Sequence, residues 1–381
     1  MSALGGLTAA SVIIMSAFSG MSAAAEPSRK ITAEVMSVPM ARTGADVAKV
    51  EEYWRPDRLS KADNSTPKTA DPKPVAPARA EVGSTAVTAA AKASPTAAAA
   101  PSTTESATAP GLPAPWTVQP APPAKALPVS TTPRTIGKVF FRIGAKEYWC
   151  SASAVRAQNR SLVATAGHCA FDVRSGKPVE YWIFVPNYRP GQQPDGIYVG
   201  HTLSLHLDYA GKGDYDYDYA FITVNKGFKW QAQKDAKGQL TYRRVSVGYL
   251  QDNVGGQGIT AGRGTTVAAT AFGYPAGAQP DGSRPYDGHS LKWCSGTTKK
   301  VVSPTYQLEQ GISIKECDFT AGASGGPWLV VYNAGTGLGF LDGINSLSWN
   351  RKGGKNDEIS SPYFNTITQA IYNRAQSIAI N

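Results

Sequence analysis

A lone serine among glycines, Ser324 in Thr320–Leu329 (TAGASGGPWL), is the residue of this chain best suited to covalent chemistry. A serine hydroxyl becomes a nucleophile only when a base takes its proton, and the base works best when a carboxylate fixes its tautomer and stabilises its charged form. One histidine and one acidic residue are therefore required. The chain holds four histidines, His168, His201, His206 and His289, and all of them precede Ser324. Gly322–Gly326 also fits G-x-S-x-G, the nucleophile elbow of α/β-hydrolases, but that fold needs its histidine after the serine. Chain order excludes it and leaves the order His, Asp, Ser.

The run Asp214–Val224 (DYDYDYAFITV) offers three acids, Asp214, Asp216 and Asp218. Strict alternation would place all three on one face of a strand. Asp218 runs directly into the apolar stretch YAFITV and is the preferred acid, with Asp216 as the alternate. A calcium loop is excluded because the run lacks the glycine and distal glutamate such loops need. With no CxxC pair and no HExxH, neither a metal nor an organic cofactor is expected.

These residues need a scaffold, and the composition divides the chain into four parts. Residues 1–25 carry an apolar run that ends in small residues with an A-x-A cleavage site after Ala25, the pattern of a secretion signal, although no Lys or Arg precedes the run. Residues 26–69 are expected as a prosegment. Within them Ala45–Asp63 has near-helical spacing up to Pro56, and both a short folded unit and an extended tether remain open. Residues 70–133 are mostly Ala, Pro, Thr and Ser and are expected as a disordered linker, since they bury too little to offset ordering entropy. Residues 134–381 break into short β-rich runs (GKVFFRI, SLVATAGH, YWIFVPNY, YAFITV, TVAATAFGY, PWLVVYN) between Gly, Pro, Asn and Asp clusters, with one amphipathic helix over Thr366–Ile380. That pattern predicts an all-β barrel or sandwich rather than alternating β-α units. The four cysteines, Cys150, Cys169, Cys294 and Cys317, favour disulfides in an exported protein. The net charge of +10 suits anionic walls or acidic proteins, but without a clustered basic stripe it gives no case for nucleic acid.

TAGHC (Thr165–Cys169), DYAFITV (Asp218–Val224) and GASGGPWL (Gly322–Leu329), in that order, resemble the trypsin-like, chymotrypsin-fold serine peptidases. GYP (Gly273–Pro275) and CDFTAGASGGPWL make the chain most similar to the secreted bacterial and fungal branch that includes the glutamyl endopeptidase-like enzymes. EEYWRPDRLSKA is similar to a segment of prosequences in that branch. The resemblance spans Ile136 to the C-terminus and implies two antiparallel six-stranded β-barrels with a C-terminal α-helix. It implies a triad of Ser324 as nucleophile, His168 as general base and acid, and Asp218 as its orienter. The amides of Gly322 and Ser324 would form an oxyanion hole, with Gly322 permitting the turn that aims them. It also implies the disulfides Cys150–Cys169, pinning the loop of the base, and Cys294–Cys317. The activity expected is a secreted, extracellular, monomeric endopeptidase acting on protein or peptide substrates, with no nucleic acid partner and no stable membrane insertion. A noncatalytic wall-binding or protein-binding module on the same fold is the alternative.

Two positions depart from the family. Ala323 stands where many relatives carry an aspartate that pairs with a newly cut N-terminus, so prosegment removal is expected to act by unblocking the cleft rather than by ordering it. For substrate binding, Asp318 falls where enzymes specific for Lys and Arg keep a pocket carboxylate. Asn345 and Ser346 of GINSLS stand where the glutamate-specific branch places a histidine. A basic preference is the resulting expectation.

Overall fold

The structure, a computed structural model, describes residues 34–63, 115–123 and 132–380. The expected secretion signal and most of the expected linker lie outside the described residues. Three elements open the described chain: β1 (Val35–Pro39), α1 (Gly44–Tyr53) and α2 (Pro56–Asp63); a short β2 (Trp116–Val118) follows. The first barrel is built from β3 (Ile136–Ile143), β4 (Lys146–Val155), β5 (Leu162–Thr165), the small hairpin β6 (Phe171–Asp172) and β7 (Lys177–Pro178), β8 (Glu180–Pro186), β9 (Tyr198–His206), α3 (Leu207–Lys212) and β10 (Ala220–Val224). A hairpin of β11 (Gly227–Lys234) and β12 (Leu240–Gly248), then α4 (Leu250–Val254), lead into the second half. That half comprises β13 (Gly258–Ala261), β14 (Ala268–Gly273), β15 (Lys292–Thr297), β16 (Lys299–Ser303), β17 (Leu308–Lys315), β18 (Pro327–Asn333), β19 (Leu338–Ile344), β20 (Leu347–Trp349) and β21 (Glu358–Pro362), closed by α5 (Thr366–Gln376).

The first barrel runs β9-β10-β5-β4-β3-β8 and closes where β9 returns to β8 at Ile183–Val199 and Phe184–Tyr198. Its strands are buried on both faces: every residue of β9 and the last seven of β4 are shielded. A sheet with both faces shielded does not show the polar-apolar alternation of a half-exposed one. The cover on the outer face comes partly from the N-terminal segment. β1 adds to β9 in antiparallel register from Val35–His206 to Pro39–Thr202, beyond the point where β8 leaves it. Trp54 is fully buried in the same core, Tyr53 stacks on Tyr181 at 4.0 Å, and Glu51 receives two hydrogen bonds from the Arg244 guanidinium at 2.7 and 2.8 Å. Residues 34–63 are therefore folded onto the barrel, which resolves the choice between a folded unit and a tether.

The second half pairs a six-stranded sheet, β15-β14-β18-β19-β13-β2, with a four-stranded one, β16-β17-β21-β20. Ala271, Ile312, Ile314, Trp328 and Ile359 fill the space between them. Together the halves form a chymotrypsin-like two-barrel fold. Three details differ from expectation. One strand pair, β13 with β19, runs parallel. The linker expectation is corrected at Trp116–Val118, which pairs with β13 because Trp116 meets Tyr372 of α5 edge-on at 5.2 Å and gives this Pro/Ala-rich stretch an apolar anchor. The helix expected to reach Ile380 ends at Gln376. Asn365 and Thr368 form its capping box, and the Asn159 side chain donates to the terminal carbonyls of Ala375 and Ile378.

Candidate active site

Ser324 lies in the connection from β17 to β18, where the backbone is wound tightly and almost fully hydrogen-bonded. Gly322 has φ +100°, and a Cβ there would lie 2.5 Å from the Tyr274 carbonyl oxygen and 2.6 Å from the Trp149 ring, so the position requires glycine. Three successive loop carbonyls are held by donors from other segments. Ser151 donates its N–H to the Ser324 carbonyl (2.8 Å) and its hydroxyl to that of Gly322 (2.8 Å), and the Asn345 amide donates to that of Ala323 (2.8 Å). The Ser151 hydroxyl accepts in turn from the Tyr274 N–H at 2.9 Å. Ala323, Gly325 and Gly326 spend their own N–H groups on Thr320, Asn345 and Ala323 carbonyls. The N–H groups of Gly322 and Ser324 find no acceptor among the described residues. Two unsatisfied donors beside a serine hydroxyl form a site for negative charge.

His168 sits in the short turn Gly167–Cys169 that ends β5, and the Cys150–Cys169 disulfide ties this turn to β4. Asp218 lies two residues before β10 and is fully buried. Its carboxylate is saturated. Oδ1 accepts the His168 backbone N–H at 2.9 Å, Oδ2 lies 2.9 Å from His168 Nδ1, and Oδ2 also accepts the Ser346 hydroxyl at 2.6 Å. Tyr209, completely buried beside them, has its phenol pushed well above its ordinary pKa by burial first and by the Asp218 charge second. It therefore stays protonated. An ionised Asp218 requires the hydrogen on His168 Nδ1, which leaves Nε2 as a lone-pair acceptor.

His168, partly exposed, and Ser324 line one cavity of about 810 Å³, whose walls include Trp149, Phe319, Thr320 and Ser348. The hydroxyl of Thr320 is buried there without a hydrogen-bond partner among the described residues. None of the described residues 34–63 lines the cavity, and the rest of the expected prosegment lies outside the described residues. His168 also approaches Cys150 and Cys169, but both sulfurs are oxidised in the disulfide and offer no thiolate to a metal. Cys294 and Cys317 form the second disulfide, so both pairings are as expected.

Several expectations change on contact with the geometry. Asp214, Asp216 and Asp218 do not share a strand face. Asp214 accepts the Asp216 N–H (3.0 Å) and starts the short helical turn Tyr215–Tyr217, so the strand begins only at Ala220. Asp216 instead accepts the N–H groups of Glu309 and Gln310 at 2.8 and 2.7 Å, joining this loop to β17. Asp318 is not brought to the cavity: its carboxylate accepts from the Tyr286 hydroxyl. Asn345 borders the cavity, but its amide is spent on the Phe272 and Ala323 carbonyls and on the Trp328 indole N–H. Ser346 serves Asp218. The other histidines lie elsewhere: His201 bonds Thr202, His206 caps α3, and His289 approaches Asp63. Ser151 and Trp149 escaped sequence reasoning altogether, and their neighbour Cys150 is the one local signal near them.

The Cys150–Cys169 link, at a sequence separation of 19, stabilises the fold chiefly by restricting the unfolded chain, by about 3 kcal/mol. Replacing both cysteines by serine is expected to lower Tm by roughly 6–12 °C in calorimetry. No change in Tm would contradict this.

No protein-family model matches the sequence, and no curated protein matches it. Among solved structures the chain is similar to the protease Anisep from Arthrobacter nicotinovorans, with 31% identity and a TM-score of 0.51 over 66% of this chain and 99% of that one. It is also similar to the thermostable serine protease AL20 from an extremophilic microorganism, with 28% identity and a TM-score of 0.52 over 65% of this chain and 99% of that one. With the two-barrel fold and a cavity lined by both His168 and Ser324, this similarity over nearly the whole of both relatives assigns the chain to the trypsin-like serine protease family.

Proposed function

We propose that the chain is an exported serine endopeptidase that cleaves peptide bonds through an acyl-enzyme, with residues 134–381 as the peptidase domain. The observation that carries this reading is the Asp218 carboxylate, which grips both the ring and the backbone of His168, a residue that lines the same cavity as Ser324. In this reading His168 takes the Ser324 proton as Oγ attacks the scissile carbonyl. The oxyanion is received by the amides of Gly322 and Ser324, and imidazolium then protonates the leaving amine. Water repeats the sequence on the ester. The Asp218 carboxylate holds the ring at Nδ1 and stabilises the imidazolium as it forms. Export is supported by two disulfides, which persist in oxidising compartments. Among the described residues no helix is long and apolar enough to cross a membrane. A preference for lysine or arginine is not proposed, since the Asp318 carboxylate is engaged with Tyr286.

Incubation of the chain with an unfolded protein, followed by mass spectrometry of the products, tests the reading. Defined internal cleavages that vanish in His168→Ala are expected; cleavage unchanged in that variant would overturn it. The oxyanion assignment has its own test. Gly322→Ala puts a methyl group against Tyr274 and Trp149 in a backbone conformation that side chains avoid, and is expected to lower kcat by about a hundredfold. Steady-state kinetics on a peptide ester would measure it, and a loss below threefold would refute the role given to this loop.

A further inference from the structure

The wall behind the Ser324 loop contains a buried ion pair whose two halves come from different parts of the chain. Lys138, on β3, has no solvent exposure, and its ammonium lies 2.6 Å from Oδ1 of Asp63, the last residue of α2. The other Asp63 oxygen accepts from the Tyr188 hydroxyl. His289 Nδ1 lies 3.1 Å from that oxygen but outside hydrogen-bonding geometry. The Lys138 ammonium stands 3.7 Å from the centroid of the Trp149 ring, and the Cη2 corner of that ring abuts Gly322 and Gly288. Tyr188 and Tyr274 complete the aromatic surroundings at 4.3 and 5.6 Å. A continuous line of contacts thus runs from Asp63 through Lys138 and Trp149 to Gly322, which lines the cavity and whose N–H has no acceptor among the described residues. Ala323, next to the serine, carries no charge by which the loop could be anchored directly.

We propose that Asp63 is a positioning residue for the peptidase reaction: the N-terminal segment 34–63 supplies the counter-charge that holds Lys138 against Trp149, and Trp149 holds Gly322 in its donor orientation. The assignment rests on the reading of Ser324 and the Gly322 amide given above. Burying a lone ammonium is costly, whereas a paired one is tolerated, so loss of Asp63 leaves Lys138 either to move or to shed its proton. Either response removes the cation from the ring face. Burial lowers the Lys138 pKa to about 8, with Asp63 first and Asp287 more weakly opposing that shift, so Lys138 has little margin to remain charged once Asp63 is gone. The segment then serves the active site from behind, through β1 pairing and α2 docking, without entering the cleft.

The test uses the full chain as wild type, Asp63→Asn, Lys138→Met and the double variant. Each is titrated to its end point with an organophosphonate to count competent sites, then assayed on a peptide ester. A purely structural role would lower the number of titrated sites and leave kcat per site unchanged. The assignment predicts that every variant that folds loses at least fivefold in kcat per titrated site, with KM within twofold. It also predicts that the double variant is no worse than the poorer single one, because all act through one line of contacts. The double variant buries no unpaired charge and decides the matter if the single ones fail to fold. A smaller loss in any folded variant, or a double loss equal to the product of the single ones, would overturn the assignment. Failure of the wild-type chain to react, or equal reaction of Ser324→Ala, would overturn the serine peptidase reading itself, and this assignment with it.

Discussion

Replacing Ser324 by alanine is expected to lower kcat on the order of 10⁶-fold while leaving the fold and Tm nearly unchanged. The side chain is only half-buried, and the loop is held by its backbone carbonyls through Ser151 and Asn345, so removing the hydroxyl disturbs none of the contacts that shape the turn. What disappears is the atom that attacks. Residual turnover would come from water placed near the Gly322 and Ser324 amides, a route that keeps electrostatic stabilisation but loses the covalent intermediate. Kinetics with active-site titration would measure the change, and a loss of less than a hundredfold would exclude Ser324 as the nucleophile.

Asp218→Asn is expected to lower kcat at neutral pH by about 10⁴-fold with little change in KM. The substitution is nearly isosteric, and the new amide oxygen can still accept from the His168 N–H or the Ser346 hydroxyl. Its NH₂ group, however, now faces a position that must itself donate. To avoid two opposed hydrogens the imidazole carries its proton on Nε2, where a lone pair is needed for the serine proton. Retention of a tenth or more of wild-type kcat would show that His168 does not depend on this carboxylate.

The fold and the centre of the site were legible in the sequence to different depths. His168 and Ser324 stand in short motifs whose neighbours, Cys169 and the glycines, are themselves dictated by local geometry, so a few residues carried the information. Asp218 was readable from the apolar strand that follows it, but the alternation argument failed: the Asp214 carboxylate reaches its own backbone two residues on and turns the chain before the strand begins. The pocket reading failed for a related reason. Asp318 has the expected distance from Ser324 along the chain, yet the Tyr286 hydroxyl, supplied by a loop distant in sequence, claims its carboxylate. Lys138 was the least legible. In GKVFFRI a lysine reads as an outward-facing strand position, and only the arrival of α2, across a separation of 75 residues, makes an interior position habitable for it. The same is true of Ser151, whose partners Gly322 and Tyr274 lie 171 and 123 residues away. Such contacts leave no periodicity and no motif.

The central claim is that His168 activates Ser324 for covalent attack, and peptide mapping after reaction with a fluorophosphonate tests it most directly. The account predicts one adduct per chain, located on Ser324 and lost in Ser324→Ala, with the rate of its formation reduced at least a thousandfold in His168→Ala. An adduct on another residue, or one that forms on Ser324 as quickly without His168, would contradict it.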